Sequence, residues 1–195
     1  MDLDETQDVI NDDSDIIFKM GESYEDKKDY DNMKKYYEIA IEKGNTDAMI
    51  RLGSYYEEQK DYYNMKKYYE MAIEKGDTDA MTILGDYYKE LKDYDNYIKY
   101  NELAIEKGNI YGIYNLGDYY KELKDYDNYI KYYELAIEKG SICAITKLRD
   151  YYKEQNDYDN MKKYYEMAIK IKAEQRRITS LNSLDKRLAE IKRGI

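Results

Sequence analysis

Carboxylates, amines and phenols are the chemically capable side chains of this chain: 42 acidic residues, 32 basic residues and 28 tyrosines accompany a single cysteine, Cys143, and no histidine. Paired carboxylates are the raw material of acid–base catalysis, which needs one member kept protonated and the other ionised at one place in the molecule. Here the pairs recur at a fixed interval along the chain, as solvated faces would. The commonest general base is absent without histidine, Cys143 lacks an imidazole to activate it, and no glycine-rich phosphate loop is present. No catalytic residue is expected, and no cofactor or metal site, since the residues that build most metal centres are missing.

One thiol cannot form an internal disulfide, which points to a reducing, intracellular and cytoplasmic setting. No apolar run approaches the roughly 18 to 20 residues of a membrane span, and Met1 to Ile10 holds acids in place of a basic segment and an apolar core, so neither insertion nor export is expected.

What positions these side chains is repetition. Five near-copies of one 32-residue segment fill most of the chain, marked by Gly21, Gly53, Gly85 and Gly117 with Arg149 in the fifth slot. In the second copy Ala48, Met49, Leu52 and Tyr56 fall at helical spacing, and after Glu57 to Asp61 a second set follows at Tyr62, Met65, Tyr69, Ala72 and Ile73. Each copy therefore reads as a helical hairpin. Asp61 is placed to cap its second helix, Gly76 to end it in a left-handed turn, and Asp77 or Thr78 to cap the next helix.

Gly53 lies within a helix, where glycine costs up to about 1 kcal/mol relative to alanine, so its recurrence needs a steric reason. The expectation is a close approach of the second helix, with Met65 packing across the glycine, as Tyr97 and Tyr129 would in later copies. Arg149 breaks the rule, so the fifth hairpin should pack differently. Helices this short are marginal alone, and stacking of successive hairpins must supply the core, built largely from tyrosine rings with their hydroxyls led to a partner. The tyrosines at 30, 62, 94, 126 and 158 read as part of this packing.

Leu-Gly-x-x-Tyr, then Asp-Tyr, then Tyr-Tyr-x-x-Ala-Ile-Glu-Lys-Gly resembles the Sel-one-like repeats and their relatives, the tetratricopeptide repeats. Leu52, Gly53, Tyr56, Tyr69 and Ala72 fall on the tetratricopeptide signature positions, and equivalents recur over roughly residues 16 to 169. Met65 or Tyr97 stands where the signature has a small residue, and the closing proline is missing. The 13 residues from Ala72 to Gly85 look like the Sel-one-like linker, whereas Gly53 to Tyr69 has the tetratricopeptide length. The tyrosine-, lysine- and asparagine-rich composition also looks like that of expanded repeat families in giant amoebal viruses and AT-rich protists, which would place the protein in a host cytoplasm or a virion.

The resemblance implies an all-α, right-handed α–α superhelix of about five hairpins over 14–172, followed by a C-terminal helix, and a scaffold that binds a partner protein or peptide on its concave face. The positions it carries over as lining that face include Glu22, Asp86, Tyr111, Tyr114, Asp118, Lys121, Thr146 and Asp150. The acids among them, read with the aromatic pair, fit a basic partner carrying apolar anchors; the alternative is that they merely solvate a helix face. Copies three and four agree at 26 of 32 positions, and five of the six differences lie at the start of a first helix, which fits either a tuned surface or drift at exposed sites.

The ends differ from the array. Residues 1–13 form an acidic stretch read as a disordered tail, with Ser14 capping the first hairpin. Residues 170 to 195 carry eight basic residues against three acids, a net +5, leaving −15 on the remainder of a chain whose net charge is −10. So acidic an array disfavours nucleic acid. Lys172 stands where glycine ends the earlier copies, and Leu181, Leu184, Leu188 and Ile191 form an apolar stripe on a basic helix over 173–195. That helix reads as a cap folded back on the last hairpin, as a homodimer contact or as a membrane-surface helix, dimerisation being favoured over the membrane because the stripe lacks Trp and Phe.

Overall fold

Each hairpin begins and ends on side chains that leave the backbone little choice. A computed structural model of the chain describes residues 13–193, with side chains to 187. Among these residues lie ten helices in five consecutive hairpins: α1 (Ser14–Asp26) with α2 (Tyr30–Glu42), α3 (Thr46–Glu58) with α4 (Tyr62–Glu74), α5 (Thr78–Glu90) with α6 (Tyr94–Glu106), α7 (Ile110–Glu122) with α8 (Tyr126–Glu138), and α9 (Ile142–Glu154) with α10 (Tyr158–Arg193). The architecture is the all-α hairpin repeat expected from the spacing. Residues 1–12, which hold nearly all of the expected acidic tail, lie outside the described residues.

The second helices share one cap. In α4 the Asp61 carboxylate accepts from the Asn64 N–H at 3.2 Å and from Asn64 Nδ2 at 2.7 Å, a two-point clamp repeated by Asp29 with Asn32, Asp93 with Asn96, Asp125 with Asn128 and Asp157 with Asn160. These bonds favour the ionised form and hold Asp29, Asp61, Asp125 and Asp157 below the ordinary carboxylate range. First helices are capped by Asn45, Asp77 and Ser141. The first of them is capped by Asp13, whose carboxylate accepts from the Asp15 N–H at 2.9 Å, and not by Ser14, which already lies in the helix.

Both turns of the repeat close on a left-handed residue. Between copies it is Gly44, Gly76, Gly108 or Gly140, with φ near +90°, as the sequence requires. Within a hairpin it is Lys28, Lys60, Lys92, Lys124 or Asn156, with φ near +58°. The bonds Lys60 N–H to Glu57 O and Asp61 N–H to Tyr56 O, both 2.9 Å, form a Schellman closure that outweighs the strain of a lysine there.

The hairpins group into two compact units divided between Gly112 and Ile113. In the first unit two clusters join successive copies: Ile17, Met33, Tyr37 and Ala40 pack with Ala48, Leu52 and Tyr68, and Met49, Met65, Tyr69 and Ala72 pack with Ala80 and Leu84. In the second, Ile113, Leu116, Tyr129, Tyr132, Tyr133 and Ala136 are buried, as are Ala144, Ile145, Leu148 and Tyr164. Stacked ring pairs twelve residues apart hold each hairpin together, Tyr56 on Tyr68 at 5.6 Å and Tyr152 on Tyr164 at 5.6 Å among them. Of the tyrosines that open the second helices, Tyr30 reaches Tyr55 of the next copy at 5.4 Å, Tyr62 reaches Tyr87 at 5.4 Å and Tyr126 reaches Tyr151 at 5.3 Å, the expected packing role, whereas Tyr158 of the last copy is 62% exposed and donates to Asn156.

The glycine slot is crossed by a residue one turn beyond the one expected. A Cβ on Gly53 would stand 2.7 Å from the Tyr69 ring, on Gly21 it would stand 2.4 Å from Tyr37, and on Gly117 2.7 Å from Tyr133. Met65 and its counterparts are buried beside the crossing without filling it, because the helices meet sixteen residues after the glycine and a planar ring fits the gap. Where Arg149 replaces the glycine, Tyr165 is displaced and is 53% exposed, so the fifth hairpin does pack differently. After it the chain does not turn back. Helix α10 runs on without a break, and residues 172–187 are exposed throughout.

Two predictions follow from this core. Gly53→Ala should destabilise the protein by about 1 to 3 kcal/mol in thermal or denaturant melts, reversing the gain of up to about 1 kcal/mol that helix propensity alone would give. In the Gly53→Ala/Tyr69→Ala double variant the loss should be smaller than the sum of the single losses. Burial, aided by Glu38, pushes the Tyr68 phenol up to about 12, and burial, aided by Glu57, does the same for Tyr69. A raised phenol contributes stability that is complete below its ordinary value of about 10 and is lost as pH rises toward the folded value. Alkaline titration should therefore show tyrosinate absorbance and loss of helical dichroism rising together above that value, and titration of every tyrosine without helix loss would contradict the packing.

Candidate functional site

The tyrosine that crosses each glycine emerges on the first-helix side of its hairpin, where its hydroxyl meets a carboxylate. In the first unit Tyr37 donates to Glu25 Oε2 at 2.6 Å, and Tyr69 donates to Glu57 Oε2 at 3.1 Å with Ser54 Oγ at 3.1 Å. Burial and the facing carboxylate both favour the neutral phenol and push Tyr37 up. Glu22, the first of the expected acids, is bound by Arg51 of the next copy at 3.2 Å, and Phe18 stacks on Tyr37 at 5.5 Å. Adjacent first helices are also tied by Asn45 Nδ2 to Asp15 Oδ1 at 3.1 Å and by Asn109 Nδ2 to Asp79 Oδ1 at 3.1 Å.

The third copy departs from this scheme. Asn101 stands where the tyrosine should be, is fully buried, approaches Gly85 and donates to the Tyr97 carbonyl at 2.8 Å. Its side chain is too short to emerge on the first-helix side as the tyrosines do. Loss of hydration pushes the Asp86 carboxyl up, while Lys89, 5.4 Å from the Tyr97 ring centroid, pulls it down. Tyr111, at the start of α7, is 65% exposed and takes its backbone hydrogen bond to Asn109 Oδ1 at 2.7 Å.

In the second unit Tyr133 donates to Asp118 Oδ1 at 2.7 Å, and burial with that carboxylate pushes the phenol up. Tyr114 is half-buried, hydrogen-bonded to Ser141 and 6.0 Å from the Tyr133 ring, so it is a packing residue with one edge outward. Lys121 lies over Tyr129 at 5.5 Å, and Thr146 donates to the Ile142 carbonyl at 3.4 Å. Asp150 is held by the Arg149 guanidinium at 2.6 and 2.9 Å, and both line a cavity of about 330 Å³ with Lys153, Met161 and Tyr165.

Sequence reasoning missed Glu25 and the phenols of Tyr37, Tyr69 and Tyr133. A signal was present: the glycine at one register and the tyrosine sixteen residues on occur together in the first, second and fourth copies, and the pair is broken in the third by Asn101 and in the fifth by Arg149. Leu181 and Leu184 project from α10 with 51% and 53% exposure, while the side chains of Leu188 and Ile191 lie outside the described residues. Cys143 is exposed. Among the described residues no group of three acidic, Cys or His side chains is placed to hold a metal, and no helix is long and apolar enough to cross a membrane.

No curated protein sequence matches the chain significantly. Similar solved structures include a Sel1 repeat protein from Oxalobacter formigenes, with 23% identity and a TM-score of 0.61 over 81% of this chain and 73% of that one. Pseudomonas aeruginosa PilF aligns with 16% identity and a TM-score of 0.55 over 80% and 75%, and MamA with 22% and 0.53 over 81% and 97%. At these identities the likeness is one of fold. The tetratricopeptide repeat model matches residues 14–42, 46–74, 110–138 and 150–175, which is more than half of the chain and coincides with the first, second and fourth hairpins and with the end of α9 and the first half of α10. The glycine slot, the ring that fills it and the paired helices are thus those of a repeat array, and the chain belongs to the tetratricopeptide repeat family.

Proposed function

We propose that the chain is a non-catalytic scaffold that holds a partner protein or peptide against its first helices, and that the partner is basic with apolar anchors. The observation that carries this reading is the tethering of carboxylates by buried phenols: Glu25, Glu57 and Asp118 each accept from a tyrosine rooted in the core. A carboxylate held this way has lost much of its rotamer freedom before a partner arrives, so less ordering entropy opposes binding. The phenol uses one lone pair, and the oxygens retain capacity for an arginine or lysine of the partner.

The residues assigned to contact the partner are Glu22, Asp86 and Tyr111 in the first unit and Tyr114, Asp118, Lys121, Thr146 and Asp150 in the second, together with Glu57, which the resemblance also places on that face, and Glu25, which it does not. Tyr111 is the anchor of choice because its ring is already outside the core, whereas Tyr114 is half-buried between Tyr133 of its own hairpin and Ser141, the cap of the next. Burial raises the Asp86 carboxyl and Lys89 opposes the rise, so a further cation beside it would favour the ionised form. The family is generally built for holding other proteins, and no step of chemistry is assigned to any side chain.

The test is selection of binders to the full chain from a displayed peptide library, followed by calorimetric titration of the tightest. Basic sequences with one or two large apolar residues should emerge, and Glu22→Gln/Glu57→Gln and Tyr111→Ala should each weaken them about tenfold or more with helical dichroism unchanged. Added salt should weaken binding to the parent chain more than to the Gln variant. Acidic or neutral binders, or full affinity in all variants, would overturn the assignment.

A further inference from the structure

The opposite side of the hairpins carries a second kind of site, built twice at the same register. Between α2 and α4, residues Glu38, Ile41, Glu42, Lys67, Tyr68 and Met71 line a cavity of about 200 Å³. Between α8 and α10 the same six registers, from Glu134 to Met167, line one of about 240 Å³. The two lie in different compact units, so each unit builds the notch from its own helices. Its floor is apolar, Ile41 with Met71 or Ile137 with Met167. One wall is a tyrosine whose hydroxyl donates to the first glutamate, Tyr68 to Glu38 at 3.4 Å and Tyr164 to Glu134 at 2.8 Å. The notch lysine lies over that ring, Lys67 at 5.0 Å and Lys163 at 4.9 Å.

Each rim carries two glutamates against one lysine, and in the second notch that lysine, Lys163, already lies 3.9 Å from Glu134, which leaves the other carboxylate of the pair to be matched. Glu38 and Glu42, like Glu134 and Glu138, are exposed and four residues apart on one helix face, an arrangement of like charges that weakens the helix carrying it. The second helices α2, α4, α6 and α8 all keep this pair, and all lack a basic residue in their last turn, where the helix dipole favours one. A cation with an aliphatic stem would relieve both, its stem on the apolar floor and its head between the carboxylates.

The chain supplies such groups itself. At the fifth copy the second glutamate becomes Lys170, and the helix runs on as a segment with a net +5. Residues 172–187 are exposed along its described length, with Arg176, Arg177, Lys186 and Arg187 beside Ile178, Leu181 and Leu184, these three about half exposed. An extension of this length without tertiary packing is marginal in water and gains most from being covered. We propose that this extension of one molecule docks on the glutamate notches of a second copy, joining molecules through charge complementarity between tail and array, on the face away from the proposed partner site.

Carbodiimide cross-linking of an equal mixture of light- and heavy-isotope chains tests this directly. Mixed-isotope links from Lys172 or Lys186 to Glu38, Glu42, Glu134 or Glu138 are expected, together with a mass by sedimentation that rises with concentration and falls with salt. The variant Glu38→Gln/Glu42→Gln/Glu134→Gln/Glu138→Gln keeps the tyrosine acceptors and should weaken self-association about tenfold or more with helical dichroism unchanged. Links confined to one isotope would mean that the tail covers its own array, links between tails alone would mean helix pairing, and links to Glu22 or Glu57 would place the tail on the partner face. Each of these, or a monomer at about 100 µM, overturns the proposal.

Discussion

The passage of a tyrosine ring across a bare glycine is the contact on which the rest of the repeat depends. Helix α3 can approach α4 closely only because Gly53 has no Cβ, and the space so opened is the width of the Tyr69 ring. The glycine gives up helix propensity and the tyrosine buries a phenol, each unfavourable alone, and the pair is stable because dispersion along the ring face offsets both. Since the ring enters from the second helix and leaves on the side of the first, its hydroxyl is delivered where a carboxylate can accept it. Packing geometry and surface electrostatics are therefore set by the same side chain.

The two exceptions make the dependence visible. Asn101 keeps the glycine but shortens the partner, so the third hairpin loses the phenol that would have met the first-helix surface, and the amide is spent on the Tyr97 carbonyl. Arg149 keeps the tyrosine but fills the slot, so Tyr165 is forced outward and Asp150 is served by a guanidinium instead of a phenol. In both, a change in the middle of a helix pair alters the hydrogen bonding at the first-helix surface. Such coupling lets a repeated framework vary its outer face without changing its backbone.

Acids on both faces of the hairpins accept from core phenols, Glu25, Glu57 and Asp118 on the first-helix side and Glu38 and Glu134 on the second. On the second-helix side they also stand in like-charged pairs over an apolar floor. Beyond the fifth hairpin, the helix that should have stopped at a glycine continues with the opposite charge and with its apolar stripe uncovered.

Much of this was legible in the residues alone. The 32-residue period, the alternation of helical spacing with short polar turns, the aspartate caps and the glycine stops determined ten paired helices nearly to the residue, because each is a local consequence of backbone chemistry. Where the reading erred, it erred across helices. Met65 and Tyr69 lie one turn apart on the same helix, and spacing cannot say which of them sits at the crossing; Asp13 and Ser14 are both good caps, and only the path of the chain chooses between them. Whether the C-terminal stripe folds back or runs on is likewise invisible in a pattern of leucines, since a helix is amphipathic whatever it faces. Local hydrogen bonding and periodicity follow from the sequence by itself. The meeting of a phenol with a carboxylate twelve or fifteen residues away was decided by the close approach of two helices, which exists only once they have packed.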